Sequence, residues 1–314
     1  MIAALALLVG AFAAGVVVPA VLRRADTARL DPVVLLVGWL LSIVGVLAAA
    51  AAGVALFLIP NHSPATNMLA LLHKCWMSVA HGATPRIEEI IGLLAAVVFL
   101  AVVSRFPVIA IRTARRRKRI AQDHLAVLSL AARRDDGMLW LEHDRPLAFS
   151  LAGRPGVVVA TEGLTRHLSP GEVRAVLAHE HAHLRGRHHL LITCVDALAA
   201  ALPVVPLFRQ APAAVRVLVE MAADVAAIRA CGHADVHAAL VGVSADGAPS
   251  GALAMARDAV DVRLARLRSG TRPAGRVRQT LSCGLTAAAA VALPIWVGVW
   301  ILVGVALVSC PVFG

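Results

Sequence analysis

Long apolar runs alternate with short charged segments along the chain. Four of the runs are long enough to cross a hydrocarbon layer, which takes about 20 helical residues. They extend over Ile2 to Leu22, Pro32 to Ile59, Ile90 to Ile111 and Leu281 to Val308. We predict four transmembrane helices. The first is retained, because Arg23 and Arg24 follow its apolar part, whereas a cleavable signal peptide carries its positive charges in front.

Basic residues are concentrated in two of the connections between these runs. Three arginines lie between residues 23 and 29, and a second group extends from Arg112 to Arg119. Because short loops that retain positive charge lie in the cytoplasm, both termini and the loop 60–89, with an amphipathic helix over 68–79, are predicted to lie outside. The chain then divides into a three-helix transmembrane region (1–111), a cytoplasmic domain (112–280) and a fourth transmembrane helix (281–314).

Composition supports a membrane protein. An apolar content of 59% is too high for an ordinary soluble core. A net charge of +11 is the balance that arginine-rich cytoplasmic loops produce, so we expect no direct nucleic-acid partner. The five cysteines show no metal-ligand spacing and no disulfide framework. Cys75 and Cys310 both fall on the outer side, and a disulfide between them stays open.

Strand and helix signals follow one another inside the cytoplasmic segment. Leu147 to Leu151 and Val157 to Ala160 predict the two strands of a small hairpin, joined by a turn rich in glycine and proline. The sequence Ser-Pro-Gly-Glu at 169–172 matches a capping box with proline in the first turn. A helix is therefore predicted to begin at Pro170.

This helix carries the sequence His-Glu-His-Ala-His at 179–183. His179 and His183 lie one turn apart, so both imidazoles can reach one metal ion. Glu180 lies beside that ion and is predicted to be the catalytic base, which takes a proton from water activated by the metal and returns it to a leaving amine. The pattern predicts one Zn²⁺ per chain and hydrolysis of peptide bonds.

The third ligand is predicted to come from a second helix. A catalytic zinc site uses three protein ligands and keeps one position for water. Glu220 supplies the third ligand from a helix predicted to start at Pro212. Asp224 shares a face with Glu220, and we assign it to accept a hydrogen bond from the far nitrogen of a ligating histidine.

Other polar residues are harder to assign. His181, His188 and His189 point elsewhere on the metal helix or follow it, and we expect none of them to bind the metal. The chain has no tyrosine, so another donor must stabilise the oxyanion of the reaction. The candidates are His237, Arg263, Arg266 and a backbone amide.

An apolar stretch of 19 residues, Leu190 to Phe208, separates the two predicted ligand helices. A single membrane crossing there would put Glu220 on the opposite side of the bilayer from His179. The stretch also contains one aspartate and two prolines. We predict a hairpin or an interfacial helix that rests on the membrane or packs in the domain.

Several segments resemble membrane peptidases of the gluzincin type. The similar segments are Ala148–Ser150, Val157–Thr161, Glu162–Leu164, Leu168–Val173, Val176–His183 and Glu220–Asp224. Three spans before this domain and one after it, with Val262 to Leu267, are similar to the BlaR/MecR antirepressor metallopeptidases, over essentially the whole chain. The resemblance implies a mainly α, polytopic membrane protein with a cytoplasmic α+β gluzincin domain between spans three and four.

The resemblance also implies zinc held by His179, His183 and Glu220, with Glu180 as base. It implies a protein substrate, a winged-helix repressor, at the inner membrane of a bacterial cell. The β-lactam-sensing members continue beyond the fourth span into a penicillin-binding domain, whereas this sequence stops at Gly314. Two alternatives stay open: an HtpX-like quality-control protease, which usually has two spans before the metal helix, and a non-catalytic membrane receptor that contains zinc.

Overall fold

The computed structural model describes residues 2–25, 30–58, 87–135, 137–153, 155–245, 253–270 and 275–309. The helices are α1 (Ile2–Arg24), α2 (Pro32–Leu58), α3 (Ile87–Ala131), α4 (Glu162–His167), α5 (Pro170–Arg185), α6 (His188–Ala201), α7 (Pro206–Cys231), α8 (His233–Ala245), α9 (Leu253–Arg268) and α10 (Arg276–Ser309). The strands are β1 (Ala132–Asp135), β2 (Met138–Leu141), β3 (Ala148–Leu151) and β4 (Val157–Thr161). The predicted mainly helical fold with a small sheet is confirmed.

Three helices in the described residues are long and apolar enough to cross a membrane. They are Ala4–Arg24 in α1, Pro32–Leu56 in α2 and Val277–Trp300 in α10. These helices pack on one another, and glycines allow their backbones to approach closely. A Cβ atom added at Gly10 would lie 2.8 Å from the carbonyl oxygen of Pro294, and one at Gly45 would lie 2.7 Å from that of Ala290. The three helices correspond to the predicted first, second and fourth spans.

The predicted third span, Ile90 to Ile111, lies in the first half of α3. This helix is 45 residues long and continues without a break through the arginine-rich segment to Ala131. Many side chains of this helix are not among those that the structure describes. The third span therefore stays a prediction. The predicted amphipathic helix over 68–79 lies outside the described residues, as do Cys75 and Cys310.

The sheet has four strands in the order β1-β2-β4-β3. The predicted hairpin is confirmed, because β3 and β4 pair antiparallel with Ala148 opposite Ala160. Strands β1 and β2 were not predicted. Strand β1 reads Ala-Arg-Arg-Asp and is mostly exposed, so it lacks the apolar alternation by which a strand is recognised. Strand β4 lies between β2, with which it pairs parallel, and β3. In the described residues, β3 therefore forms an edge of the sheet.

The apolar stretch Leu190 to Phe208 forms a helical hairpin, which is one of the two arrangements predicted for it. Helix α6 ends at Ala201, and α7 returns from Pro206. The prediction that α7 starts at Pro212 is wrong. Pro206 occupies the first turn, where a missing N–H costs nothing. Pro212 lies inside the helix, which continues past it because neighbouring Ala211 and Val215 are completely buried.

The hairpin packs against the first two apolar helices. Leu207 and Phe208 of α7 share one core cluster with Trp39 of α2, and all three are nearly inaccessible to solvent. A Cβ added at Gly15 of α1 would lie 2.7 Å from Val205, in the turn of the hairpin. Burying a side chain such as Phe208 stabilises the fold by about 2 to 3 kcal/mol. This packing fixes the direction in which α7 presents its later residues.

An ion cluster ties α3 to the same hairpin. Asp196 of α6 accepts hydrogen bonds from Arg117 of α3 at 2.6 Å and from Arg216 of α7 at 2.8 Å. Arg117 also donates to the hydroxyl of Thr193 at 2.8 Å. The aspartate within the apolar stretch therefore has two cationic partners, and it joins three helices at one point.

Candidate metal centre

The start of α5 is set by its capping box, as the sequence predicted. The hydroxyl of Ser169 accepts from the amide of Glu172 at 3.4 Å, and the Glu172 carboxylate accepts from the amide of Ser169 at 2.7 Å. Pro170 is the first helical residue. From this start, two turns of helix carry His179 and His183 to the side of α5 that faces α7.

Three side chains converge at this point. His179, His183 and Glu220 each offer one ligand atom, and these atoms lie within 4.8 Å of one another. The two Nε2 atoms are 3.1 Å apart. The Glu220 carboxylate oxygens lie 3.4 Å from Nε2 of His179 and 3.5 Å from Nε2 of His183. Two imidazoles and one carboxylate are a donor set that suits Zn²⁺ with a fourth position left for water.

Asp224 holds the other nitrogen of His179. Its Oδ1 lies 3.0 Å from Nδ1 of His179, and its side chain is 5% exposed. Arg263 of α9 donates through Nε and Nη2 to the two oxygens of Asp224, at 2.8 and 2.7 Å, and through Nη1 to Glu220 at 3.3 Å. The guanidinium therefore compensates part of the negative charge of Asp224 and of the ligand group Glu220.

The three side chains among the four oxyanion candidates lie in different places. Arg263 lines the cleft but is bonded to the two carboxylates. Arg266 is buried and donates to the carbonyl of Leu30 at 2.7 Å, next to the start of α2. His237 lies on α8 and is not among the described residues that line the cleft. Arg263 is thus the candidate that the fold brings to the cluster.

The charges in the cluster shift the pKa values of the ligands in different directions. Burial disfavours the charged form of His179, but hydrogen bonds to Asp224 and Glu220 outweigh it and raise the pKa from 6.5 to about 9. Burial lowers the pKa of His183 from 6.5 to about 4. Burial also opposes ionisation of Glu220, yet His179 and Arg263 lower its pKa from 4.5 to about 2. Without a metal, one histidine is therefore charged and the other neutral near pH 7.

Glu180 faces the same cleft as the cluster without being one of its ligand groups. Burial raises the pKa of Glu180 above 4.5, while the neighbouring His179 and hydrogen bonds with Ser150 oppose this rise. Ser150 belongs to the edge strand β3. A carboxylate with a raised pKa beside a metal position is suited to accept and return protons near neutral pH.

A cleft of about 160 Å³ opens beside these residues. Its polar lining consists of His179, Glu180, Glu220, Asp224 and Arg263. The remainder is apolar and built mostly from small side chains of β3, α5 and α8, namely Ala148, Ala175, Val176, Val236, Ala239, Leu240 and Val243. Two of the candidate metal ligands, His179 and Glu220, therefore line the same cleft as Glu180 and a set of apolar side chains, and this cleft can accept an apolar group.

Sequence reasoning missed the contacts of two histidines around the site, and its expectation that His181 points elsewhere agrees with the structure. His188 is buried, and its Nδ1 lies 2.9 Å from Nδ1 of His183. Nε2 of His189 lies 3.2 Å from the hydroxyl of Ser150. His181 is exposed and bonded to the carbonyl of Leu177, away from the cluster. The turn after α5 reverses the chain, and no periodic pattern in the sequence indicates that reversal.

Comparisons with known proteins support a peptidase. No solved structure gives a significant match to the chain. Residues 112–257 match the model of peptidase family M48. The matched segment includes α5, α6 and α7, and so contains both histidines, Glu180, Glu220 and Asp224. The match of residues 112–257 to this family supports a metallopeptidase role for the chain.

Proposed function

We propose that this chain is a membrane-bound, zinc-dependent endopeptidase that cleaves a cytoplasmic or membrane-proximal protein. The observation that carries the proposal is the convergence of His179, His183 and Glu220 at one edge of a cleft that Glu180 also lines. A structural zinc site is closed by four protein ligands. Here three ligand groups converge in the described residues, and an unligated carboxylate faces the space beside them.

The residues of the site divide the chemistry among them. A zinc ion held by His179, His183 and Glu220 would supply Lewis acidity and would lower the pKa of a water molecule to about 7. Glu180 accepts the proton of the attacking water and returns it to the leaving amine. The carboxylate of Asp224 accepts a hydrogen bond from Nδ1–H of His179, so that Nε2 is free to bind the metal. Arg263 keeps Asp224 ionised.

Substrate binding is proposed to use the edge strand. Within the described part of the chain, strand β3 has one unpaired edge. Ser150 of this strand contacts Glu180, and Ala148 lines the cleft. An extended peptide that pairs with β3 would therefore pass close to the metal position. A cavity of about 150 Å³ is known to accommodate benzene, and this cleft is of similar size. We expect an apolar side chain of the substrate, of the size of leucine or phenylalanine, to occupy it.

Peptide hydrolysis tests this preference. We expect peptides with leucine or phenylalanine beside the scissile bond to show at least tenfold higher kcat/KM than peptides with aspartate there, because a charge in an apolar cleft loses its hydration. The substitution Ala148→Leu should lower kcat/KM for the phenylalanine peptide more than for an alanine peptide. Equal kcat/KM values across the series would contradict an apolar specificity cleft.

The location and the substrate are also proposed. The arginine-rich start of the domain supports a cytoplasmic face at the bacterial inner membrane. The packing of α7 on α1 and α2 keeps the cluster close to the apolar helices, within reach of membrane-proximal segments. The resemblance to antirepressor peptidases favours a winged-helix repressor as substrate. The alternative of quality control predicts cleavage of misfolded membrane proteins instead.

The decisive experiment compares wild type with Glu180→Gln. We expect equal zinc content and a loss of peptide cleavage by at least a hundredfold, because general-base catalysis contributes about 10² to 10⁴ in rate. Glu142→Gln, an exposed glutamate at the end of β2, is the control and should keep wild-type activity. Equal cleavage by Glu180→Gln and wild type would overturn the enzyme proposal, and zinc without cleavage in wild type would favour the non-catalytic receptor.

The two substrate classes can then be separated in cells. Proteins that accumulate in a Glu180→Gln strain and disappear in the wild-type strain are candidate substrates. A single cytoplasmic DNA-binding protein would support the repressor proposal. A broad set of unassembled membrane proteins would support quality control.

A further inference from the structure

The turn after α5 brings His188 against His183. Helix α5 ends at Arg185, and Arg187 adopts a left-handed conformation with φ 49° and ψ 38°. This conformation costs a non-glycine residue about 1 to 2 kcal/mol. It reverses the chain so that His188, the first residue of α6, points back at the metal helix.

The atoms that face one another define the roles of the two nitrogens of His183. Its Nε2 faces His179 and Glu220, which makes Nε2 the metal-binding atom. Its Nδ1 lies 2.9 Å from Nδ1 of His188. A neutral imidazole carries one proton, so a histidine that binds metal through Nε2 carries its proton on Nδ1. Nδ1 of His183 therefore donates, and Nδ1 of His188 must accept.

The pocket around His188 is built for this arrangement. His183 is 8% exposed and His188 is 7% exposed, so water does not compete for the hydrogen bond. The imidazole of His188 lies over Gly186, where an added Cβ would be only 2.4 Å from Nε2. The absence of a side chain at position 186 leaves the space that the ring occupies.

Each ligand histidine thus has a hydrogen-bond partner at Nδ1, but the two partners differ in charge. His179 is held by Asp224, whose charge is balanced by Arg263. His183 is held by a neutral, buried imidazole. An acceptor without charge fixes the ring and the tautomer of His183 and adds no negative charge to a site that already contains Glu180, Glu220 and Asp224.

We infer that His188 is a positioning residue that orients His183 for metal binding by accepting its Nδ1 proton. This inference rests on the proposed zinc site. Partners of this kind typically change metal affinity by about 10- to 100-fold when they are removed. The competing explanation is that His188 only fills space in the core, in which case its shape matters and its acceptor nitrogen does not.

Zinc affinity of the full chain in detergent tests the inference. Metal-stripped protein is titrated with zinc in competition with a chromophoric chelator. We expect His188→Ala to bind zinc about 10- to 100-fold more weakly than wild type. Asparagine places an acceptor oxygen where Nδ1 stands, whereas glutamine places its polar atoms at the distance of Nε2. His188→Asn should therefore restore the affinity to within about threefold, and His188→Gln should remain as weak as His188→Ala.

A matched control and a spectrum complete the experiment. His181→Ala removes an exposed histidine from α5, the helix that carries His183, and should leave the zinc affinity unchanged. The visible spectrum of the Co²⁺-loaded protein should be the same for wild type and His188→Asn, and altered for His188→Gln. If His188→Ala fails to fold, the comparison of asparagine with glutamine still decides the question.

The outcomes separate this inference from the proposed function. Wild-type affinity in both His188→Ala and His188→Gln would overturn the positioning role while leaving the zinc site intact. A wild-type protein that binds no zinc would overturn both. If His188→Gln binds zinc more weakly than wild type, and the wild-type protein cleaves no peptide, the positioning role is supported. Only the peptidase proposal is then contradicted.

Discussion

Replacement of Arg263 by methionine should destabilise the metal-free protein strongly. Arg263 is 13% exposed and makes two hydrogen bonds to Asp224, which is 5% exposed, and one to Glu220. Methionine preserves most of the apolar volume and removes the charge. Among the described residues, Asp224 then keeps only His179 as a cationic partner, and a buried carboxylate loses most of its compensation.

The magnitude follows from the burial of the pair. Removing one partner of a buried ion pair costs about 3 to 5 kcal/mol, mainly because the other charge is left without compensation. His179 still holds one oxygen of Asp224, so we expect a loss near the lower limit, about 3 kcal/mol. Arg263→Lys keeps the charge but loses the planar fork that reaches both oxygens of Asp224. Its free energy of unfolding should therefore lie between those of wild type and Arg263→Met.

Denaturant-induced unfolding of the metal-free protein in detergent, followed by circular dichroism, measures this loss. Arg268→Met, an exposed arginine on the same helix, is the control and should stay within about 0.5 kcal/mol of wild type. The folded-state pKa of Asp224 is held below its usual range, so its contribution is present above pH 3.8 and lost on acidification. The difference between wild type and variant should therefore shrink in acid. An Arg263→Met variant as stable as the control at pH 7 would refute the reasoning.

Three further outcomes follow from the structure. Because the folded-state pKa of His179 is raised from 6.5 to about 9, its contribution to the stability of the metal-free protein is complete below pH 6.5 and is lost as pH rises to 9. Unfolding at pH 6 and 9 should show this loss in wild type and not in His179→Gln. The substitution Asp196→Asn leaves two half-exposed arginines without their carboxylate and should cost about 1 kcal/mol, with faster hydrogen exchange in α6 and no such change in Asp123→Asn. The substitution Gly186→Ala introduces a Cβ into the ring of His188 and should weaken zinc binding as His188→Ala does, whereas Gly275→Ala, which has open space around it, should not.

The parts of the fold that could be predicted from sequence have local causes. Three of the four apolar runs reappear as helices long enough to cross a membrane, because length and composition alone set that property. The start of α5 is local too, since Ser169 and Glu172 satisfy each other's amides within a single turn. The hairpin of β3 and β4 follows from apolar stretches flanking a turn. These features need no knowledge of distant residues.

The start of α7 and the two additional strands could not be predicted in this way. Pro212 resembles a helix start, but the packing of α7 against α1 and α2 carries the helix back to Pro206. Strand β1 is polar and short, and it is stabilised by its pairing with β2. In both cases the deciding contacts join residues that are far apart in the chain or invisible to a pattern of apolar positions.

The sequence by itself determined the types of residue in the candidate site and the spacing of the two histidines. Glu220 could be predicted as a ligand because a Glu-x-x-x-Asp sequence follows on a second helix. Its distance from His179, however, depends on how the α6–α7 hairpin folds. Only the tertiary structure decided that distance, and only it placed Arg263 on Asp224 and His188 on His183. Spacing along one helix is fixed by the regular rise and turn of its backbone, whereas contacts between helices depend on the packing of many side chains at once.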